Sequence, residues 1–245
     1  MNALSPSTPL LRVEGLEQSF GGVMALAGVS FQLDEGVIQA VIGPNGAGKT
    51  TLFNALCGFY RPSAGSIRFA GQELCGLPPY RIAAHGIART FQNLQLFFNM
   101  TVIENVMVGC HLRARTRWLA AALRLPQVRR EERQLRQWAR EALTLCDLAD
   151  WAEQSAGALP YGLMKRVEIA RALATQARLL LLDEPAAGLN DTESLALRIN
   201  AFNHITFHQY VARRKRAAAD ADSNVAGLEN RVAANAVVET VLPLH

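Results

Sequence analysis

Residues 10–16 and 29–33 alternate apolar and polar side chains, a period of two that predicts strands with one buried face. Phe20-Gly21-Gly22 lies between them and reads as a turn. Residues 37–42 are short and β-branched, which predicts a buried strand, and residues 51–57 read as the first turns of a helix. Residues 65–74 suggest a strand, a Gly turn and a short return, and residues 79–85 a short helix ended by Gly86. Ile87 to Phe91 then extends toward Gln92 and Asn93.

Thr101, with Glu104 three residues on, predicts a capping box opening a helix over 101–111, with Val102, Val106 and Cys110 inward. Leu125-Pro126 interrupts the pattern. Residues 128–145 give the most regular helix, with Leu135, Trp138, Ala142 and Leu145 on one face and Glu132, Arg136 and Arg140 at i+4 on the other. Pro160-Tyr161-Gly162 precedes an amphipathic helix over 163–174. Leu179 to Leu182 is an apolar run ending in Asp183-Glu184-Pro185, as expected for a fully buried central strand of a parallel sheet. Strands carried on βα units give an α/β class. Beyond Glu193 no βα unit is legible: residues 200–208 have a weak strand flavour, and 213–222 are low in apolar bulk.

Composition narrows the class. Half of the 245 residues are hydrophobic, which fits a globular protein, and no apolar run approaches the length of a membrane span. The first nine residues have neither the basic start nor the apolar core of a signal peptide. Cys57, Cys75, Cys110 and Cys146 are scattered without metal spacing and read as reduced thiols of a cytosolic protein. The net charge is +4, and the Arg residues between 113 and 140 are mixed with Glu and barely interleaved with aromatics. A solvated helical face accounts for them better than a nucleic-acid partner.

The chemistry centres on Gly43-Pro44-Asn45-Gly46-Ala47-Gly48-Lys49-Thr50, followed by Thr51. This is the phosphate-binding pattern G-x-x-x-x-G-K-[ST], set between a strand and a helix as it must be. Glycines at 43, 46 and 48 allow positive φ and a close approach to a ligand, and the helix N-terminus adds partial positive charge. Lys49 would reach the β- and γ-phosphates of a nucleotide and the Thr50 hydroxyl would ligand Mg2+. A Gly-rich turn with a chance lysine is the plainer reading, and the flanking strand and helix argue against it. Two carboxylates ending a buried strand complement such a loop: Asp183 would hold the Mg2+ shell and Glu184 would act as general base on a water. Without the loop, Asp-Glu-Pro would merely end a strand and cap a helix. Phe20 is either a core aromatic or an exposed platform for a base.

Residues 10–195 resemble the ATP-binding cassette (ABC) family in unbroken order. Gly43 to Thr51 matches its phosphate loop, Gln92 its glutamine loop, Leu159-Pro160-Tyr161-Gly162 its signature, Asp183-Glu184-Pro185 its second Walker motif and Gly188-Leu189-Asn190 the loop after it. Phe20 falls where the family carries its adenine-stacking aromatic. Thr90-Phe91-Gln92-Asn93, Leu96-Phe97-Phe98, residues 100–106 and Pro160-Tyr161-Gly162 are similar to the ATPase subunits of branched-chain amino-acid importers.

The resemblance implies a P-loop NTPase with a RecA-like core, a small antiparallel β subdomain and an α-helical subdomain. The cassette would span 10–198, its helical subdomain about 93–155, with an atypical tail over 199–245. It further implies ATP and Mg2+ as cofactors and two cassettes closing head to tail around ATP. Tyr161 and Gly162 would face the γ-phosphate of the partner cassette, and Gln92 would join the Mg2+ and water site. A membrane permease, an indirectly acting periplasmic or extracellular solute-binding protein and a peripheral place on the cytoplasmic face of the plasma (inner) membrane complete the picture.

Three positions depart from the family. Pro160 replaces the signature Ser and removes a hydroxyl, Leu163 replaces a common Gln, and the strand ending in a switch His has no counterpart, since His204 and His208 lie too early. The tail reads either as a shift of frame or as a natural divergence. Two alternatives to the importer ATPase follow: a truncated, hydrolysis-impaired nucleotide-binding protein, and a cassette acting on DNA or ribosomes. The second is weakened by the single cassette without a long coiled coil or zinc-finger cysteines.

Overall fold

The computed structural model describes residues 9–91, 93–114, 126–183 and 237–241. The chain divides into two units: Met1–Ile87 with Arg178–Leu182 and Thr206–His245, and Ala88–Ala177 with Asp183–Ile205.

In the first unit, β1 (Leu11–Phe20) and β2 (Val23–Leu33) form an antiparallel hairpin. It closes at the pair Phe20↔Val23, around Gly21 and Gly22 at φ 53° and 87°. Two left-handed central residues match the twist of the flanking strands, which is why glycines stand there. β1 also pairs with β4 (Ala64–Phe69), which returns as β5 (Gln72–Glu73), giving the order β2–β1–β4–β5. The alternation in β1 buries Leu11, Val13 and Leu16 on one face. These side chains share one core with Ile67 and Phe69 of β4, with Leu52, Phe53 and Leu56 of α1 (Lys49–Leu56), and with Leu179 and Leu181 of β7 (Leu179–Leu181). The short helix α2 (Pro79–Ala84) adds Ile82 and ends before Gly86, as its sequence predicts.

The second sheet runs in the order β3 (Gln39–Ile42), β8 (Val237–Val241), β7 and β6 (Ile87–Arg89), with Ile87 the part of β6 that belongs to this unit. β7 is an inner strand with every residue buried, as expected of its apolar run. Two expectations are corrected here. The stretch 37–42 is not fully buried: Val41 is, but Ile42 in β3 is 59% exposed and Ile38 just before it 44%, and β3 stands at the edge of its sheet among the described residues. A strand also exists beyond Glu193, pairing in parallel through Gln39↔Val238 and Leu180↔Val237. Its β-branched run Val237-Val238-Glu239-Thr240-Val241 is a strand signal overshadowed by the Arg- and Ala-rich text before it.

The second unit is helical, with α3 (Val102–Gly109), α4 (Pro126–Leu145) and α5 (Tyr161–Ala174) around one core. The capping box forms as predicted: Thr101 Oγ1 accepts from the Glu104 amide, and the Glu104 carboxylate accepts from the Thr101 amide at 2.8 Å. Val102, Val106 and Cys110 are fully buried. On α4 the inward stripe is turned by one position, burying Ala139, Ala142 and Leu143 and leaving Trp138 and Leu145 half-buried. Arg136 and Arg140 pair with Glu153 at 2.7 and 3.3 Å. Arg113 stacks its guanidinium 3.3 Å from the Trp138 ring centroid, so this member of the Arg run is not simply solvated. Asn105, fully buried, holds Phe97 by both of its backbone groups, accepting from its amide at 2.8 Å and donating to its carbonyl at 3.0 Å. α3 and α5 cross at Gly109, where a Cβ would overlap the Arg171 carbonyl.

Candidate functional site

The chain passes from β3 to α1 through six residues, 43–48, whose shape is set by two left-handed glycines. Gly46 has φ 87° and Gly48, the N-cap of α1, φ 85°. Gly43 does not have positive φ, contrary to the sequence reading; a Cβ there would come within 3.1 Å of Ala47 Cβ, so crowding explains its small size. Gly48 rests against β2, where a Cβ would collide with the Ala25 carbonyl and approach Leu26 Cδ2 at 3.1 Å. The loop is therefore braced by the hairpin. Lys49 Nζ donates to the carbonyls of Gly43 and Pro44 at 2.6 and 3.0 Å, which holds the ammonium at the mouth of the loop. Pro44, Asn45, Gly46 and Thr50 are exposed, while Ala47 and Thr51 are half-buried. No side chain caps α1, so its N-terminus keeps its partial positive charge for an anion. Phe20 is 43% exposed at the hairpin tip, which favours the platform over the core reading.

In the second unit, Pro160 at φ −56° and ψ 150° leads into α5, with Tyr161 exposed and Gly162 buried. Again no side chain caps the helix. One turn further in lie two charges that the sequence reading missed, Lys165 and Glu168, each 2% exposed. Their Nζ and Oε2 are 3.6 Å apart. Glu168 Oε1 accepts from the Phe91 amide at 3.1 Å and Lys165 Nζ donates to the Phe91 carbonyl at 3.3 Å. The peptide groups next to Gln92 are thus held by a buried ion pair. Burial pushes the Glu168 carboxyl above its ordinary range, against the pull of the Phe91 amide and of Lys165. The signal was present in the sequence: Lys165 is in helical register with Ile169 and Ala172 on an apolar stripe, where an ordinary solvated lysine does not belong.

Asp183 is engaged by a third missed residue. Arg89 donates to Asp183 Oδ2 at 2.7 Å, the side chains being 6% and 12% exposed, and the Asp183 amide donates to Thr90 Oγ1 at 3.3 Å. The carboxylate expected beside Mg2+ is therefore held by a guanidinium through one oxygen. Gln92 and Glu184 lie outside the described residues. Among the described residues no group of three His, Cys, Asp or Glu could hold a metal, and no helix is long and apolar enough to cross a membrane.

The ABC transporter family pattern matches residues 26–187. The high-affinity branched-chain amino acid transport ATP-binding protein BraF of Pseudomonas aeruginosa is 45% identical over 205 residues, 82% of this chain and 80% of its own. The corresponding LivG of Escherichia coli K12 is 46% identical over 191 residues, 78% and 75% of the two chains. Among solved structures, the ADP conformation of MJ1267, an ATP-binding cassette of an ABC transporter, is similar with a TM-score of 0.67 and 32% identity, covering 80% of this chain and 76% of that one. A nucleotide-free ATP-binding cassette from an ABC transporter is similar with a TM-score of 0.66 and 33% identity, covering 81% and 76%.

Proposed function

The chain belongs to the ABC transporter family, and from that membership we propose that it is the ATP-hydrolysing subunit of an importer of branched-chain amino acids or related solutes. The observation that carries nucleotide binding is the braced loop between β3 and α1, with two left-handed glycines, an uncapped helix N-terminus and Lys49 at its mouth. The solute class rests on the names of the relatives, BraF and LivG. The same relatives, matched over roughly four-fifths of both chains, favour a working transport ATPase over the hydrolysis-impaired alternative.

In this reading the backbone N–H groups of 45–51 wrap the β- and γ-phosphates, Lys49 leaves its two carbonyl partners for phosphate oxygens, and Phe20 stacks on the adenine. Taken each by itself, Thr50 offers a hydroxyl and Asp183 a carboxylate, the oxygen donors a hard cation such as Mg2+ takes, and Asp183 meets Arg89 through one of its two oxygens. When bound, the ion would neutralise charge on the phosphates. Gln92 orients the water, Glu184 accepts its proton, and Tyr161 and Gly162 present the N-terminus of α5 to the nucleotide held by a second cassette. Pro160 offers no hydroxyl there, so backbone donors carry that contact. Residues 10–198 form the cassette in this proposal, with the helical subdomain at about 93–155. Exposed Phe97, Phe98 and Leu112 supply apolar surface for the permease. A solute-binding protein acts on the far side, and the subunit sits peripherally on the cytoplasmic face of the membrane.

The test is reconstitution with the permease partner in lipid vesicles. ATP turnover should rise when a branched-chain amino acid and its binding protein are present, and Glu184→Gln should abolish turnover while ATP stays bound and drives dimerisation. Turnover indifferent to permease and solute would overturn the importer reading.

A further inference from the structure

We propose that Tyr60 is a positioning residue for nucleotide recognition, fixing the ring of Phe20 and thereby how tightly the chain holds an adenine base. The inference rests on the reading of Phe20 as the base platform.

The two rings meet in a T-shaped pair, centroids 5.1 Å apart and planes at 72°. Such a pair uses at most one face of Phe20 and leaves the other for stacking. Phe20, the last residue of β1, is 43% exposed at the hairpin tip, and Tyr60, 38% exposed, is the ring set against it.

Tyr60 is itself held from both sides. On one side α1 ends in a Schellman motif: Gly58, at φ 75°, donates to the Ala55 carbonyl at 3.1 Å and the Phe59 amide to the Asn54 carbonyl at 2.9 Å. The reversal is tightly packed, since a Cβ on Gly58 would come within 2.6 Å of the Leu77 carbonyl. On the other side Ser63 donates its amide to Glu17 at 2.8 Å and accepts from Ser19 at 3.4 Å, tying the chain after Tyr60 to the last turn of residues before Phe20. α1 begins at Lys49 and delivers Tyr60 just past its other end. One eight-residue helix thus links the phosphate contact to the ring that steadies the base platform.

Affinity should be measured calorimetrically on the full chain for Mg-ATP and for inorganic tripolyphosphate, which has the phosphates and no base. Phe20→Ala should weaken ATP binding by about 5- to 100-fold, the range of a stacked base. Tyr60→Leu should weaken it by about 2- to 10-fold, the range of an aromatic pair. Neither should change tripolyphosphate affinity, Tyr60→Phe should bind ATP like the parent, and Tyr60→Leu should add nothing in the Phe20→Ala background. If Phe20→Ala weakens ATP and Tyr60→Leu does not, the proposal fails and the platform stands. If Phe20→Ala leaves ATP unchanged, the platform reading fails first. Equal losses for ATP and tripolyphosphate in Tyr60→Leu would reduce Tyr60 to a structural residue.

Discussion

Removing the Lys165 ammonium should leave the Glu168 carboxylate buried against Phe91 without its ion-pair partner, with Arg171 the remaining cation acting on it. Both side chains are 2% exposed, so water cannot screen what remains. Glu168 can escape by taking up a proton. One pKa unit is about 1.4 kcal/mol, so protonating a carboxyl of ordinary pKa 4.5 at pH 7 costs up to about 3.4 kcal/mol. Loss of the 3.3 Å bond to the Phe91 carbonyl adds about 1 kcal/mol. Lys165→Met should therefore lower stability by about 3–4 kcal/mol at pH 7, within the range for breaking a buried pair. The proton term shrinks as pH falls toward 4.5, so the cost at pH 5 should be smaller, by up to about 2.7 kcal/mol for two pH units. Adding Glu168→Gln removes the stranded charge while keeping an acceptor for the Phe91 amide, and should restore about 2 kcal/mol at pH 7. Urea titration followed by tryptophan fluorescence suits the measurement, because Trp138 and Trp151 pack against the same core. A cost that does not change between pH 7 and 5, or a double variant as unstable as the sum of the singles, would refute the electrostatic account.

Lys49→Ala should weaken ATP binding by at least about 10-fold, and unchanged affinity by calorimetry would remove the loop assignment. Gly48→Ala should both cost at least about 1–2 kcal/mol of stability, seen as a lower urea midpoint, and impair ATP binding, because φ is 85° and the Ala25 carbonyl blocks the Cβ. The Glu104 carboxyl is held below its ordinary pKa by hydrogen bonds from the Thr101 amide and hydroxyl. Its contribution is present above pH 4.5 and lost as pH falls through the lowered folded value, and a Glu104→Gln variant should lack that part of the acid unfolding profile.

What the sequence disclosed best was periodic or stereochemically demanding. The Thr101–Glu104 box, the turn at Gly21-Gly22 and the apolar run of β7 each encode their geometry in two to four neighbouring residues. The phosphate loop was legible for the same reason, apart from Gly43, whose role is packing against Ala47 and not left-handed backbone. Long-range pairings were not legible. Arg89 with Asp183 and Glu168 with the Phe91 amide join residues far apart in the chain, and a single sequence carries no record of such contacts. β3 misled because its β-branched text specifies a strand without saying whether that strand lies at an edge.

Gly109 bears on how the helical unit can move. At Gly109 the Arg171 carbonyl lies where a Cβ would stand, so α3 and α5 touch backbone to backbone there, beside a core in which Val102, Ile103 and Val106 meet Val167, Ile169 and Ala170. Any larger residue at 109 would push the two helices apart, so the glycine sets their spacing at this point. α3 and α5 should turn as a single lever. A displacement of Pro160 and Tyr161 at the start of α5 should then be passed on to α3, and through Asn105, which grips Phe97 by both backbone groups, to the exposed Phe97-Phe98 edge.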